Sequence, residues 1–150
     1  MPTTIVLPDN YGLVLGVAVS SLFVNFFHVM KVVNLRQKFG IKGPAVTAGP
    51  EHLKKNPESK VFDCAFRAHA NYTENLPSFL TSLAITGLRY PTLSAVAGGI
   101  WILGRIIYLY GYINTGNSAV KSRAPGFIIA AYTQLVLMCS AAYAAYTFIF

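Results

Sequence analysis

Arg67, Asn71, Glu74, Asn75 and Ser78 follow one another at helical offsets. At about 100° per residue they share one face of a helix, with His69 nearly opposite. Trp101, Arg105, Tyr108 and Tyr112 recur at i, i+4, i+7 and i+11, again one helical face. Guanidinium forks match carboxylates in bidentate fashion, and a glutamate matches an ammonium. Such a lining suits a small zwitterion with more negative than positive groups. Arg36, Lys38 and Arg123 flank apolar runs and add to the positive field. The competing reading of the first stripe is an Arg–Glu pair and asparagine hydrogen bonds gluing helices together. For the second it is an interfacial aromatic belt, which leaves Arg105, three residues from Tyr108, without explanation.

The elements that must hold these stripes are apolar. Hydrophobic residues make up 54% of the 150-residue chain and charged ones 11%, and the mean hydropathy is +0.49. A soluble domain carries about 25% charged residues, so an ordinary cytosolic globule is excluded, and disorder needs the opposite composition. The net charge of +7 would suggest nucleic acid in a soluble domain. In so apolar a chain it marks the cytoplasmic loops of a membrane protein, and no nucleic-acid partner is expected.

Tyr11–Met30 and Pro125–Phe150 carry no formal charge, and Pro91–Tyr112 carries only Arg105. Each can cross a ~30 Å hydrocarbon core as a helix. Leu76–Leu88 is too short alone, but no breaker separates it from Val61. Asn56-Pro57-Glu58 supplies a cap, an N1 proline and an acidic first turn. The expectation is an all-α integral membrane protein with a single domain over residues 1–150. It is an up-down four-transmembrane-helix bundle, with helices at about 10–32, 62–89, 91–113 and 124–148.

Residues 31–60 hold seven Lys and Arg, the loop before the last span holds Lys121 and Arg123, and the first ten residues hold none. The expected orientation places both termini on the non-cytosolic side. The first span lacks a basic n-region and reads as a retained signal-anchor. Cys64 and Cys139 have neither disulfide nor metal spacing, and no metal is expected. Gly40–Pro50 reads as a loop. Ser21, Asn25 and His28 form a polar stripe at i, i+4 and i+7. It is expected to meet a neighbouring subunit, with a contact inside the subunit as the alternative.

Arg67-Ala68-His69, then Asn71, Glu74 and Pro77, resemble the signature of the family of membrane-associated proteins in eicosanoid and glutathione metabolism. So do Gly104-Arg105-Ile106-Ile107-Tyr108-Leu109-Tyr110-Gly111-Tyr112, Tyr11-Gly12, Phe62-Asp63-Cys64 and Thr115-Gly116. These details look most like its microsomal glutathione S-transferase 3 branch. The resemblance implies a homotrimer of four-helix subunits that holds glutathione as co-substrate between neighbours near the cytosolic face. It implies glutathione-holding roles for Arg67, Asn71 and Glu74, for Arg36 lent by the adjacent subunit, and for the wall of Arg105, Tyr108 and Tyr112. Arg123 resembles the catalytic arginine that stabilises the glutathione thiolate, with Lys121 as the alternative. Gln37 and Asn75 depart from the leukotriene-forming branch, where an arginine and a tyrosine stand, and His69 is assigned to packing.

The implied activity is a glutathione transferase with glutathione-dependent peroxidase activity toward lipophilic electrophiles or lipid hydroperoxides, and at most weak leukotriene formation. The implied setting is the endoplasmic reticulum, with the nuclear envelope or mitochondrial outer membrane as alternatives. The rival class is a non-catalytic trimeric lipid-binding scaffold of the same family. An unrelated transporter lacks the inverted repeat and broken helix it would need.

Overall fold

Proline and glycine set the limits of the helices in the computed structural model, which describes residues 7–114 and 119–149, with backbone alone at 119 and 120. Residues 1–6, Thr115-Gly116 and Phe150 therefore lie outside the described residues. The described chain is all-helical: α1 (Tyr11–Lys38), a short α2 (Pro50–Lys55), a 3-10 turn (Pro57–Ser59), α3 (Lys60–Arg89), α4 (Pro91–Ile113) and α5 (Ala119–Ile149). By length and composition, α1, α4 and the stretch of α5 from Lys121 to Ile149 can each cross a membrane. The chain is an integral membrane protein.

The first and last long helices outrun the apolar spans that announce them. Lys31, Arg36 and Lys38 end the uncharged run of α1, yet they are good helix formers and the helix continues through them. It stops at Gly40, whose φ of 62° supplies the left-handed residue of a C-terminal cap. Gly40 N donates to the Gln37 carbonyl (3.1 Å) and Ile41 N to the Arg36 carbonyl (3.0 Å), the paired bonds of a Schellman motif. Asn56 makes no side-chain cap, contrary to the sequence expectation. Ser59 Oγ donates to the Asn56 carbonyl at 2.7 Å and closes the turn into α3 instead.

Tyr90, held extended (φ −132°) before Pro91, separates α3 from α4. Ser94 Oγ donates to the Leu83 carbonyl at 2.7 Å and pins the two helices as a hairpin. Phe79 and Trp101 stack at 3.9 Å with an interplanar angle of 9°. They form the centre of a core to which Val14, Leu83 and Leu137 also belong. Thr86 Oγ1 donates to the Leu137 carbonyl (3.1 Å), a second tie between α3 and α5 besides that core.

The polar stripe of α1 corrects one expectation. Ser21 and His28 are buried inside the subunit, at 0% and 1% exposure. The Tyr72 hydroxyl donates to the Ser21 carbonyl at 2.6 Å, and the His28 ring lies 4.8 Å from Tyr72 and 6.4 Å from His69. Ser21 and His28 meet α3 of their own chain, because α3 turns Tyr72 and His69 toward them, while Asn25 Oδ1 has no partner within it.

Candidate functional site

Three glycines let α4 and α5 approach closely. A Cβ at Gly104 would meet Ala130 N and the Gly126 carbonyl, and one at Gly111 would meet the Ser122 backbone. One at Gly126 would overlap Tyr108 N and the Gly104 carbonyl. This contact brings the first turns of α5 over the last turns of α4. Arg123 consequently lies across Tyr112, its Cζ 4.7 Å from the ring centroid, and Nη1 donates to the Tyr108 hydroxyl at 2.9 Å. Lys121, the alternative cation, is exposed.

About one turn deeper on α4, Arg105 is buried at 3% exposure. Its Nη1 donates to Asn71 Oδ1 at 2.8 Å and Nη2 to the Asn71 carbonyl at 3.4 Å. The guanidinium also stacks 4.9 Å from the Trp101 ring. The first and second helical stripes of the sequence, now on α3 and α4, therefore meet through Arg105 and Asn71, and no carboxylate takes part.

Asn71, Tyr108, Arg123, Ala124 and Phe127 line one open cleft of about 300 Å³. Hydrogen-bond accounting gives that cleft its sign. Asn71 Oδ1 accepts from Arg105 and keeps one lone pair, while its amide nitrogen has two protons to donate. Tyr108 accepts from Arg123 and keeps its own proton to donate. Arg123 uses one amino group of its fork and carries only further donors. Donors from three helices converge on one space, an arrangement that favours an anion or a thiolate.

Other expected site residues sit apart. Arg67 and Glu74 are exposed on the outer face of α3. Among the described residues the ion pair is Lys54–Glu51 (3.7 Å), so Arg67 and Glu74 do not form the structural pair that would have been their bland explanation. Arg36 is held at the end of α1, where Nη2 donates to the Ala45 carbonyl (2.8 Å) and Cζ lies 4.9 Å from the Phe62 ring. Its Nη1 is buried with no hydrogen-bond partner. Within one chain Arg36 does not reach the cleft residues.

Sequence reasoning passed over Gln134 and Phe127. Gln134 is buried on α5, with Nε2 donating to Ser82 Oγ at 3.2 Å. A lone amide in an otherwise apolar span is the signal that could have singled it out. Phe127 had none, being one of many aromatic residues there. Among the described residues no three His, Cys, Asp or Glu side chains are grouped to hold a metal.

The model of the MAPEG family matches residues 14–143 of this chain. Microsomal glutathione S-transferase 2 of Homo sapiens is 30% identical over 119 residues, 79% of this chain and 71% of that protein. Leukotriene C4 synthase of Bos taurus is 25% identical over 134 residues, 89% of this chain and 81% of that protein. An uncharacterized protein of Synechocystis sp. is 31% identical over 114 residues, 75% of this chain and 73% of that protein.

Proposed function

Because this chain belongs to the MAPEG family, we propose that it is a membrane-bound glutathione transferase with glutathione-dependent peroxidase activity. The carrying observation is the convergence of donors from Arg123, Tyr108 and Asn71, with no carboxylate among them, on one cleft. A relative whose name states a glutathione transferase activity supports the choice of ligand. Glutathione has two carboxylates, one ammonium and a thiol. In this reading Arg67 binds a carboxylate, Glu74 the ammonium, and Asn71 a carbonyl or carboxylate oxygen. Arg67 and Glu74 are exposed and available to do so.

A thiol near pKa 8.5 is only a few per cent thiolate at neutral pH, and a neighbouring guanidinium raises that fraction. Arg123 holds the thiolate charge, and Tyr108 orients Arg123 through the bond to its Nη1. Attack on an electrophilic carbon forms the thioether as the leaving group departs. Attack on a lipid hydroperoxide forms a sulfenic acid and the lipid alcohol, and a second glutathione then gives the disulfide and water.

The finer architecture belongs to the same proposal. The chain is one domain in which α3 is the fourth transmembrane helix, and three copies associate. Arg36 is lent across the subunit boundary, where its unsatisfied Nη1 finds an acceptor. Both termini are non-cytosolic, and the membrane is the endoplasmic reticulum. Leukotriene formation is weak at most, as Gln37 and Asn75 stand where the leukotriene-forming branch has an arginine and a tyrosine.

The test is the ultraviolet absorbance of bound thiolate across pH in the wild type and Arg123→Ala. The expected result is a thiol pKa well below that of free glutathione in the wild type and a return toward it in the variant. An unshifted thiol in the wild type would overturn the reading.

A further inference from the structure

Arg123 is held by two neutral side chains from adjacent turns of α4. Its Nη1 donates to the Tyr108 hydroxyl at 2.9 Å. Its Cζ lies over the Tyr112 ring, 4.7 Å from the centroid, and 5.8 Å from that of Tyr108. Both distances fall within the ~6 Å over which a ring quadrupole attracts a cation. A phenol, with a pKa of about 10, is uncharged at neutral pH. The guanidinium therefore keeps its whole charge for a ligand, which a carboxylate partner would have neutralised in part.

The rings that hold it are themselves fixed. Tyr108 and Tyr112 are 4% and 7% exposed, and they meet edge to face at 5.6 Å and 61°. Cys64, Ala68 and Leu109 pack with them into one buried cluster. A Cβ at Gly111 would lie 3.0 Å from Arg123 Cα, so the arginine leaves α5 hard against α4. Backbone, hydroxyl and ring thus fix the guanidinium from three sides.

The two tyrosines differ in what else they reach. Tyr108 lines the donor-rich cleft beside Arg123, whereas Tyr112 lines a different cavity with Leu35, Lys38 and Cys64. We propose that Tyr112 is a positioning residue, whose ring holds Arg123 at the cleft through a cation–π contact without itself touching the thiolate. Its effect on rate rests on the glutathione-dependent reading above, but its grip on Arg123 does not.

The experiment replaces Tyr112 by Leu, by Phe, and by phenylalanines of rising fluorine content, which drain the ring quadrupole at nearly constant shape. Each protein is measured in nanodiscs in two ways. Without glutathione, phenylglyoxal is added and its modification of Arg123 is timed by peptide mass spectrometry. With glutathione, kcat, KM and the thiolate absorbance across pH are recorded. Tyr112→Phe is expected to restore what Tyr112→Leu loses. Fluorination is expected to speed modification of Arg123 and to lower kcat in graded steps, each reaching about tenfold, the worth of a partly desolvated cation–π contact. The thiol pKa should move toward that of free glutathione in the same order, with KM little changed. A modification rate that ignores fluorination would overturn the grip and leave Tyr112 a packing residue. Equal losses in Tyr112→Phe and Tyr112→Leu would assign the effect to the hydroxyl and overturn the role of the ring. An unshifted thiol in the wild type would end the glutathione-dependent reading, and the phenylglyoxal series would still decide for or against Tyr112.

Discussion

Arg123 lines the donor-rich cleft while Arg67 stands exposed on α3, and their substitutions should fail differently. The thiolate charge matters mainly at the chemical step, so Arg123→Ala is expected to lower kcat about 10²–10³-fold and leave most glutathione affinity. Arg67→Ala removes a fork from an anionic group held in both ground and transition states, so glutathione binding weakens first. Steady-state kinetics with a chloronitrobenzene, beside calorimetric glutathione binding, separates the two. Equal losses in both variants would remove the division of roles. Arg105 acts through Asn71, which it holds at 2.8 Å. A double-mutant cycle of Arg105→Met and Asn71→Ala is expected to be non-additive in glutathione affinity by at least about 0.5 kcal/mol. Additive losses would show that the two residues act separately.

At the scale of helices, the site depends on the glycine contact between α4 and α5. Gly126→Ala places a methyl against the backbone of Tyr108 and Gly104, which cannot yield as a side-chain end can. The expected cost is about 1–3 kcal/mol, read as a lowered Tm, together with loss of activity as Arg123 moves off Tyr108. Gly99 has nothing within 4 Å of its would-be Cβ, so Gly99→Ala should keep or slightly raise the Tm. The four long helices were legible in the sequence because their signals are local: apolar runs, the prolines at 57 and 91, and the glycine at 40. The actual end of α1 was less so, since Lys31 to Lys38 end an apolar run without ending a helix. The two stripes followed from the helical period, which grouped Asn71 with Arg67 and Glu74 on one face and Arg105 with Tyr108 and Tyr112 on another. Which partner each stripe takes did not. Glu74 and Asn71 lie within one turn on α3, and only the rotation of packed helices decides that Arg105 takes the amide. The same rotation turns Ser21 and His28 inward to Tyr72, where the sequence favoured a neighbouring subunit.

For the whole molecule, association is the next testable step. Arg67 and Glu74 are exposed on α3 and do not line the donor-rich cleft of their own chain. Native mass spectrometry from detergent is expected to show three copies, with glutathione binding lost when they dissociate. A monomer that binds glutathione would contradict a shared pocket. Biogenesis depends on another feature, the hairpin closed by Ser94 and Leu83. In the four-span arrangement, α3 carries Asp63, Arg67 and Glu74 into or near the bilayer, and only α1, α4 and α5 are apolar enough to be accepted on their own. Charges of this kind cost about 2.5–3.5 kcal/mol each at a helix centre and less toward its ends. One residue, Tyr90, separates α3 from the apolar α4, so the translocon meets the two nearly together. The pair should enter as a unit, with α4 carrying its polar neighbour into the bilayer. In a glycosylation-reporter assay α3 alone is expected to remain largely uninserted and the α3–α4 pair to insert. The helix that bears Arg67, Asn71 and Glu74 would then owe its place in the membrane to the one synthesised after it.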